Sequence, residues 1–260
     1  MAQSGRSRFN VAPQYQPLMR ELGLDADSIF DHPDIKVWRS IPERENATLD
    51  ASFQGRPIRL HIKRYRTHAG QGTLADVEAK SIELLITANI PTVPLVGWGS
   101  VPDGRSFIIS EDLTGYEAAD KLIAAGAPSE SILQATADLA AKLHNAALHH
   151  RDLYLCHFFV NADQPSDVRL IDAARVARLG NFLTRTRWIR KDLAQFWYST
   201  LALPISDAQR HAWMQRYSEQ RGFPSAQPFI RGIQRKVRWI ARHDQKLKVH
   251  QPDRNVSIPS

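Results

Sequence analysis

The feature that most constrains the fold of this 260-residue chain is a change in hydrophobic periodicity near residue 113. Between residues 35 and 65 apolar and polar positions alternate, most regularly where Ile58, Leu60 and Ile62 are separated by basic residues. A period of two is typical of half-buried strands. After residue 113 the apolar positions recur mainly at helical spacing, so strands precede helices. This segregated order predicts an α+β fold with a small β-rich N-lobe and a helical C-lobe.

The same pattern predicts three segments. Residues 1–34 mix Gln, Arg, Pro and Gly, and we expect a loosely held arm or a capping helix there. Residues 35–112 are expected to form the N-lobe, a sheet with one helix over residues 74–88. Residues 113–260 are expected to form the C-lobe, with the remaining helices.

Within the C-lobe the predicted elements alternate before the chain becomes helical. Ser129 is a candidate N-cap for a long helix that runs to about residue 148. Two short strands are expected over residues 156–160 and 168–171, separated by a turn-rich segment. From residue 191 onward the pattern is predominantly helical.

Composition excludes several classes of protein. With 43% apolar and 23% charged residues the chain is not globally disordered. The single cysteine, Cys156, cannot form an internal disulfide, and one cysteine is too few for a thiolate zinc site. The absence of an internal disulfide favours a reducing compartment. The first residues lack the apolar core of a secretory signal. Residues 84–102 carry no charge but contain three prolines, so we predict no membrane span.

The basic balance of the chain favours anionic partners. A net charge of +7 is compatible with nucleic acid, anionic lipid or phosphorylated substrates, and equally with a solvated basic surface. No basic segment is interleaved with aromatic residues, so no nucleic acid is expected as a partner.

Two carboxylates mark the strongest candidate site. The run H-H-R-D-L (149–153) follows the long helix and contains Asp152, and Asp172 ends an apolar strand 20 residues later. Phosphoryl transfer uses one carboxylate to orient the attacking hydroxyl and another to hold magnesium on the phosphates. H-R-D-L is also part of the protein-kinase signature, in which the aspartate is the catalytic base.

A second pair lies upstream. Lys63 ends the strand-like run I-R-L-H-I-K, where a lysine supplies a point charge for phosphates, and Glu78 follows inside the predicted helix. The alternatives are an ordinary snorkelling lysine and a solvated helix charge. Glu83 competes with Glu78 for the same role.

Taken together these segments resemble one known family, the lipopolysaccharide core sugar kinases of the Kdo/WaaP group within the protein-kinase-like superfamily. About half of the chain carries the resemblance, in the order of the family. The matching stretches are E-A-K-S-I-E-L-L-I-T-A-N-I-P-T-V-P (78–94), S-F-I-I-S-E-D-L (106–113), H-H-R-D-L-Y-L-C-H-F-F-V (149–160), L-I-D-A-A-R (170–175) and R-W-I-R-K-D-L-A-Q-F-W-Y-S (187–199).

The resemblance implies a bilobal protein-kinase-like fold that binds ATP and magnesium. Lys63 and Glu78 would form the phosphate-orienting pair. The segment from Glu111 to Leu113 would be the hinge, whose backbone hydrogen-bonds the adenine. Asp172 would hold magnesium in place of the kinase D-F-G aspartate.

The resemblance also implies the roles in the catalytic loop. Asp152 would be the catalytic aspartate, with Arg151 and Asp192 as structural support. For Asp192, which would open a helix, an N-cap is the alternative. His157 stands where ordinary kinases place a magnesium-binding Asn. Because magnesium prefers oxygen ligands, His157 would donate a hydrogen bond to a metal ligand or be a packed histidine.

The sequence departs from ordinary kinases in two respects. Residues 45–52 lack any G-x-G-x-x-G, so cradling of phosphates by that hairpin is not expected. Only 20 residues separate Asp172 from Asp192, so no long regulatory activation loop fits.

The function implied is ATP-dependent phosphorylation of a sugar hydroxyl, on heptose or Kdo of the lipopolysaccharide inner core. The alternatives are a kinase of a protein or small molecule on the same fold, and a pseudokinase or binding module. A glycolipid or sugar acceptor would be met in the cytoplasm, with peripheral contact at the anionic inner-membrane surface. That contact would use a stripe of arginines on the last helix, at residues 231, 235, 238 and 242.

Overall fold

The computed structural model describes residues 6–66 and 72–250. The chain divides into two compact units. One contains the described residues up to Glu83 together with Val93–Thr114, and the other contains Leu84–Thr92 and the described residues from Gly115 onward. The first is built on a β-sheet and the second is mainly helical, so the predicted α+β, protein-kinase-like fold with a β-rich N-lobe and a helical C-lobe is confirmed.

The first unit contains a six-stranded antiparallel sheet in the order β1-β5-β6-β4-β3-β2. Helix α2 (Leu74–Thr87) lies within a residue of its predicted bounds. The turn between β3 and β4 is Gln54–Gly55, and positive φ at both residues is typical of a tight two-residue hairpin. The strands are β1 (Arg8–Val11), β2 (Lys36–Ile41), β3 (Arg44–Phe53), β4 (Arg56–Tyr65), β5 (Leu95–Ser100) and β6 (Ser106–Glu111).

Of the two alternatives for residues 1–34, the described residues form a capping helix rather than a loosely held arm. Strand β1 pairs with β5 along its whole length, and helix α1 (Gln16–Glu21) buries Leu18 completely in the core of the unit. Backbone approach is close, since a Cβ on Gly99 would lie only 2.2 Å from the carbonyl oxygen of Arg8. The arm is held because its apolar side chains cover one face of the sheet.

The second unit combines five helices with two small antiparallel sheets, ordered β10-β9-β7 and β11-β8 in the part that the structure describes. Its helices are α3 (Ala119–Ala124), α4 (Ser129–Asn145), α5 (Phe182–Ser199), α6 (Asp207–Gln220) and α7 (Gln227–His250). Its strands are β7 (Tyr116–Ala118), β8 (Leu148–His149), β9 (Phe158–Asn161), β10 (Val168–Leu170) and β11 (Ala177–Arg178).

Two local predictions in this unit need correction. Ser129 is the first residue of α4 rather than its N-cap, and its hydroxyl accepts a hydrogen bond from Gln209 at 2.8 Å. Cys156 lies in a 3₁₀ turn (Leu155–His157) rather than in a strand. Burial raises the pKa of the Cys156 thiol to about 12, with a smaller contribution from the charge of Asp120, so the thiol remains protonated at neutral pH.

The prediction that the chain has no membrane span agrees with the helices of the described residues, none of which is both long and apolar enough to cross a bilayer.

Candidate active site

The H-R-D segment forms a loop that begins at β8, directly after helix α4. Two residues of this region adopt left-handed backbone conformations that non-glycine residues rarely adopt: Arg151 has φ of 70° and Asp172 has φ of 56°. Such conformations persist only where surrounding contacts enforce them, and they cluster at functional sites.

Asp192 supplies those contacts from beneath the loop. Its side chain is 0% exposed and accepts hydrogen bonds from the backbone amides of His150, at 2.7 Å, and Arg151, at 2.8 Å. Burial by itself would raise its pKa, but the hydrogen bonds from His144 and from the amide of His150 hold the pKa of Asp192 below its usual range. Asp192 therefore anchors the loop as a carboxylate.

The prediction that Asp192 opens a helix is wrong. Asp192 lies in the middle of α5, and the N-cap of that helix is Asn181, whose side chain accepts from the amide of Thr184 at 3.1 Å. The N-cap alternative for Asp192 is therefore excluded.

The support for Asp192 continues through two residues that the sequence did not single out as a site. His144, on α4, donates from Nε2 to Asp192 Oδ2 at 3.3 Å, and its Nδ1 accepts from the hydroxyl of Tyr217, on α6, at 2.7 Å. His144 is completely buried, so its ring orientation is set by these two partners. Three helices thus converge on one carboxylate beneath the loop.

Asp152 lies at the rim of the same loop. Its side chain is 24% exposed, and Nη1 of Arg175 lies 3.1 Å from Oδ2. Nε2 of Gln195 donates to Oδ1 at 3.3 Å, and Nζ of Lys191 lies 3.9 Å from the same oxygen. Lys191 also donates to the carbonyl oxygen of Arg151. Asp152 is therefore accessible, oriented and next to positive charge.

Two histidines connect the Asp152 loop to Asp172. His157 donates from Nδ1 to the carbonyl oxygen of Asp152 at 2.7 Å, and its Nε2 lies 3.8 Å from Asp172 Oδ2. His150 donates from Nε2 to the carbonyl of Ile171 at 3.0 Å. Because Asp172 follows Ile171 directly, these contacts bring the two candidate carboxylates into one region of the second unit.

In the first unit, the expected ion pair between Lys63 and Glu78 is formed. Nζ of Lys63 lies 2.6 Å from Oε1 of Glu78, whose other oxygen accepts from the hydroxyl of Tyr65. The Glu78 side chain is 4% exposed, whereas Glu83 is exposed. Lys63 therefore pairs with Glu78, and Tyr65 is a partner that sequence spacing did not identify.

The expected hinge, from Glu111 to Leu113, is braced from the N-terminal segment. The Glu111 carboxylate accepts from the hydroxyl of Tyr15, and Asp112 Oδ1 lies 2.8 Å from Nε2 of His61. The amides of Glu111 and Asp112 donate to the carbonyls of Pro94 and Arg59. The Leu113 residue is buried, and its amide donates to no acceptor among the described residues.

The hairpin that precedes Lys63 does not carry a phosphate loop. Residues 45–52 lie inside strand β3, and the connection from β2 to β3 is the two-residue turn of Pro42 and Glu43. Proline has no amide hydrogen to donate, so this turn offers little of the backbone cradle that phosphates use.

Magnesium fits the carboxylates of the second unit only if substrate phosphates supply further ligands. Among residues 6–66 and 72–250 no group of three or more acidic, His or Cys side chains could hold a metal ion alone. Magnesium is usually bound by one or two carboxylates together with substrate phosphates, so Asp172 fits as the protein ligand of a nucleotide-bound ion.

The family model described as "Lipopolysaccharide kinase (Kdo/WaaP) family" matches residues 36–217. The lipopolysaccharide core heptose(I) kinase WaaP of Pseudomonas aeruginosa is 25% identical over 236 residues, which cover 82% of this chain and 86% of that protein. The protein of the same name from Escherichia coli K12 is 30% identical over 155 residues, which cover 54% of this chain and 57% of that protein.

Proposed function

Because the chain belongs to the lipopolysaccharide kinase (Kdo/WaaP) family, and is therefore an ATP-dependent kinase that acts on a sugar hydroxyl, we propose that its acceptor is a heptose or Kdo of the lipopolysaccharide inner core. The curated relatives, which are named as heptose(I) kinases, favour heptose. The structural observation that supports transfer to a hydroxyl is Asp152, an accessible carboxylate on a loop whose backbone amides are fixed by a buried carboxylate.

In the first unit we assign nucleotide binding to two places. Lys63, oriented by Glu78, would contact the phosphates of ATP. At the hinge, the carbonyl of Glu111 and the unpaired amide of Leu113 would hydrogen-bond the adenine edge. Because the glycine loop is missing, the phosphates would be bound mainly by charged side chains and the metal.

In the second unit we assign the chemical step to Asp152. Its carboxylate would accept the proton of the attacking sugar hydroxyl and orient the oxygen toward the phosphorus. Asp172 would hold magnesium, which when bound neutralises charge on the phosphate oxygens. His157 would fix Asp152 through its backbone carbonyl and face Asp172, so we treat it as a positioning residue. Arg151 and Asp192 would maintain the loop.

The test is ATP turnover against a panel of dephosphorylated core glycolipids, with the product identified by mass. A mass gain of one phosphate on an inner-core heptose or Kdo is the expected result, and Asp152→Asn should slow its appearance ~10²–10⁴-fold. Phosphorylation of a protein or small-molecule substrate instead would support a different acceptor on the same fold. ATP binding without transfer to any acceptor would support the pseudokinase alternative.

We further propose that helix α7 provides peripheral contact with an anionic membrane surface. Ile230, Ile233, Val237 and Ile240 are buried on one stripe, and Arg231, Arg235, Arg238 and Arg242 are all exposed on the neighbouring stripe. The acidic residue of the helix, Asp244, is buried and accepts from Tyr198 at 2.8 Å. Trp239 is 54% exposed among the arginines, and tryptophan favours the boundary between lipid and water.

Four arginines near an anionic leaflet contribute on the order of 1 kcal/mol each, and salt screens this attraction. The protein should therefore co-sediment with phosphatidylglycerol-containing vesicles at low salt and be released at high salt. Changing the four arginines to Gln should lower activity on membrane-embedded acceptor more than on a soluble sugar fragment. A matched control changes four exposed cations elsewhere, Arg20, Lys36, Arg56 and Lys142, to Gln. Equal losses on both acceptors would contradict the membrane contact.

A further inference from the structure

Three cations converge on one tryptophan beside the Asp152 loop. Around the half-buried ring of Trp188, on α5, the guanidinium carbon of Arg151 lies 4.4 Å from the ring centroid. The guanidinium carbon of Arg187 lies 5.4 Å from it and Nζ of Lys191 5.7 Å. We call Arg151, Arg187, Trp188 and Lys191 the Trp188 cluster. His149 stacks on the same indole at 5.0 Å.

The indole accounts for how these cations are held but not for why they converge. A cation over an aromatic face gains roughly 0.5–2 kcal/mol, which orients it without neutralising it. Burial lowers the pKa of His149 to about 4, against the opposing charge of Asp192, so the stacked imidazole is neutral at physiological pH. Positive charge is therefore concentrated on the Trp188 cluster with no acidic side chain among its members.

The surrounding sequence does not balance this charge. Residues 173–191 contain six Lys or Arg and no Asp or Glu. Arg187 forms no ion pair among the described residues. Burial lowers the pKa of Lys236, on α7, and the positive charge of Arg187 lowers it further. The Nε–H of Arg151 is buried without an acceptor in the described part of the chain. A buried donor without a partner calls for an explanation, and a bound ion or an ordered water is the usual one.

The nearest carboxylates do not meet this need. Asp192 is buried and is used by the loop amides and His144. Asp152 is shared between Lys191 and Arg175, and under the proposed function it must remain available to a hydroxyl proton. The excess charge therefore lies next to the residue that would face the acceptor.

We propose that the Trp188 cluster binds an anionic substituent, a carboxylate or a phosphate, carried by the acceptor sugar or by the sugar next to it. This inference rests on the proposed function and specifies its substrate class. Arginine forks match carboxylate and phosphate geometry, so Arg151 and Arg187 would select an acidic saccharide and Lys191 would connect the bound anion to Asp152.

The test compares two soluble acceptors that differ by one charge. One is a heptose linked to Kdo, which carries a carboxylate, and the other is the same disaccharide with that carboxylate reduced to the alcohol. The wild-type KM should be about tenfold lower for the acidic disaccharide, as expected for one charge-assisted interaction. Arg187→Gln should remove most of this preference. Arg185→Gln, on the same helix but outside the Trp188 cluster, should retain it.

Binding of the two disaccharides, measured by calorimetry without ATP, keeps the inference testable if neither is phosphorylated. Tighter binding of the acidic disaccharide that depends on Arg187 would support the subsite even if the proposed function failed. Equal affinity of the wild-type protein for both disaccharides would overturn the inference and leave the proposed function intact. A rise in the KM for ATP in Arg187→Gln, with the acceptor preference unchanged, would assign the Trp188 cluster to the nucleotide and also overturn it.

Discussion

Asp192 and Asp152 lie on opposite sides of the same loop, and their surroundings differ in every respect. Asp192 is 0% exposed and accepts from two loop amides and one histidine. Asp152 is 24% exposed and is approached by Arg175, Lys191 and Gln195 through side-chain contacts of 3.1–3.9 Å. Asp192 binds backbone amides of the loop, whereas Asp152 is contacted by side chains.

The comparison shows how one residue type serves two purposes. A buried carboxylate is tolerated only when it is paired or hydrogen-bonded, so it fixes the backbone that donates to it rather than binding a ligand. A partly exposed carboxylate with longer contacts can exchange them for a substrate hydroxyl. The loop thus has a rigid base, at Asp192, and a reactive rim, at Asp152. Removing Asp152 should lower turnover, whereas removing Asp192 should lower the free energy of unfolding.

The largest effect is expected at the rim. Asp152→Asn keeps the shape of the side chain but removes the proton acceptor, so turnover should fall ~10²–10⁴-fold. The ATP affinity should stay within a few fold, and the urea midpoint of unfolding should be close to that of the wild-type protein. Near-normal turnover in this variant would refute the role assigned to Asp152.

At the base, Asp192→Ala should act on stability first. Two loop amides and His144 lose their acceptor, so the free energy of unfolding should fall by about 3 kcal/mol. Should this variant not fold, Asp192→Asn retains one acceptor oxygen and should lose less. Denaturant titrations give both values, and an Asp192→Ala protein as stable as the wild type would contradict the anchoring role.

The same comparison predicts a pH dependence. The pKa of Asp192 is lower in the folded than in the unfolded protein, so its contribution is fully present above the unfolded value of about 3.9. It is lost as pH falls through the folded value. The stability difference between wild type and Asp192→Asn should therefore shrink only in that acidic range, and a difference that disappears near neutral pH would contradict it.

Asp172 belongs to the rim, and its removal should affect the metal. Asp172→Ala should abolish the dependence of nucleotide affinity on magnesium, because the protein ligand of the nucleotide-bound ion is lost. Calorimetry with and without magnesium measures this directly, and Glu83→Ala is the matched control at an exposed acidic residue. Unchanged magnesium-ATP affinity would remove Asp172 from the metal site.

The smallest effect concerns the buried pair of the first unit. Lys63→Ala and Glu78→Ala each break one interaction, so their losses in ATP affinity should be non-additive by about 0.5–3 kcal/mol. A parallel cycle with Glu83 should be additive, because Glu83 is exposed and Lys63 lies 2.6 Å from Glu78. An additive Lys63–Glu78 cycle would show that the ion pair does not orient Lys63 for ATP.

Local patterns predicted the regular elements well and the N-terminal segment poorly. Alternation identified the strands around Leu60, and helical spacing identified α2 to within one residue. The N-terminal segment has no comparable period, and Leu18 is buried by residues far away in the sequence, so its place in the core was not predictable from local spacing. Ser129 failed as a cap because a serine before a helix fits both the N-cap and the first helical position.

The sequence by itself determined the order of strands and helices and the family. It also identified Asp152 and Asp172 as the candidate carboxylates of the site. Tertiary structure alone decided that Lys63 pairs with Glu78 and not Glu83, that His144 and Tyr217 support Asp192, and that cations gather on Trp188. The physical reason is range: periodicity reports which face of an element is buried, whereas these contacts join side chains on different elements. Such pairings depend on how whole helices and strands pack, so they exist only in the folded chain.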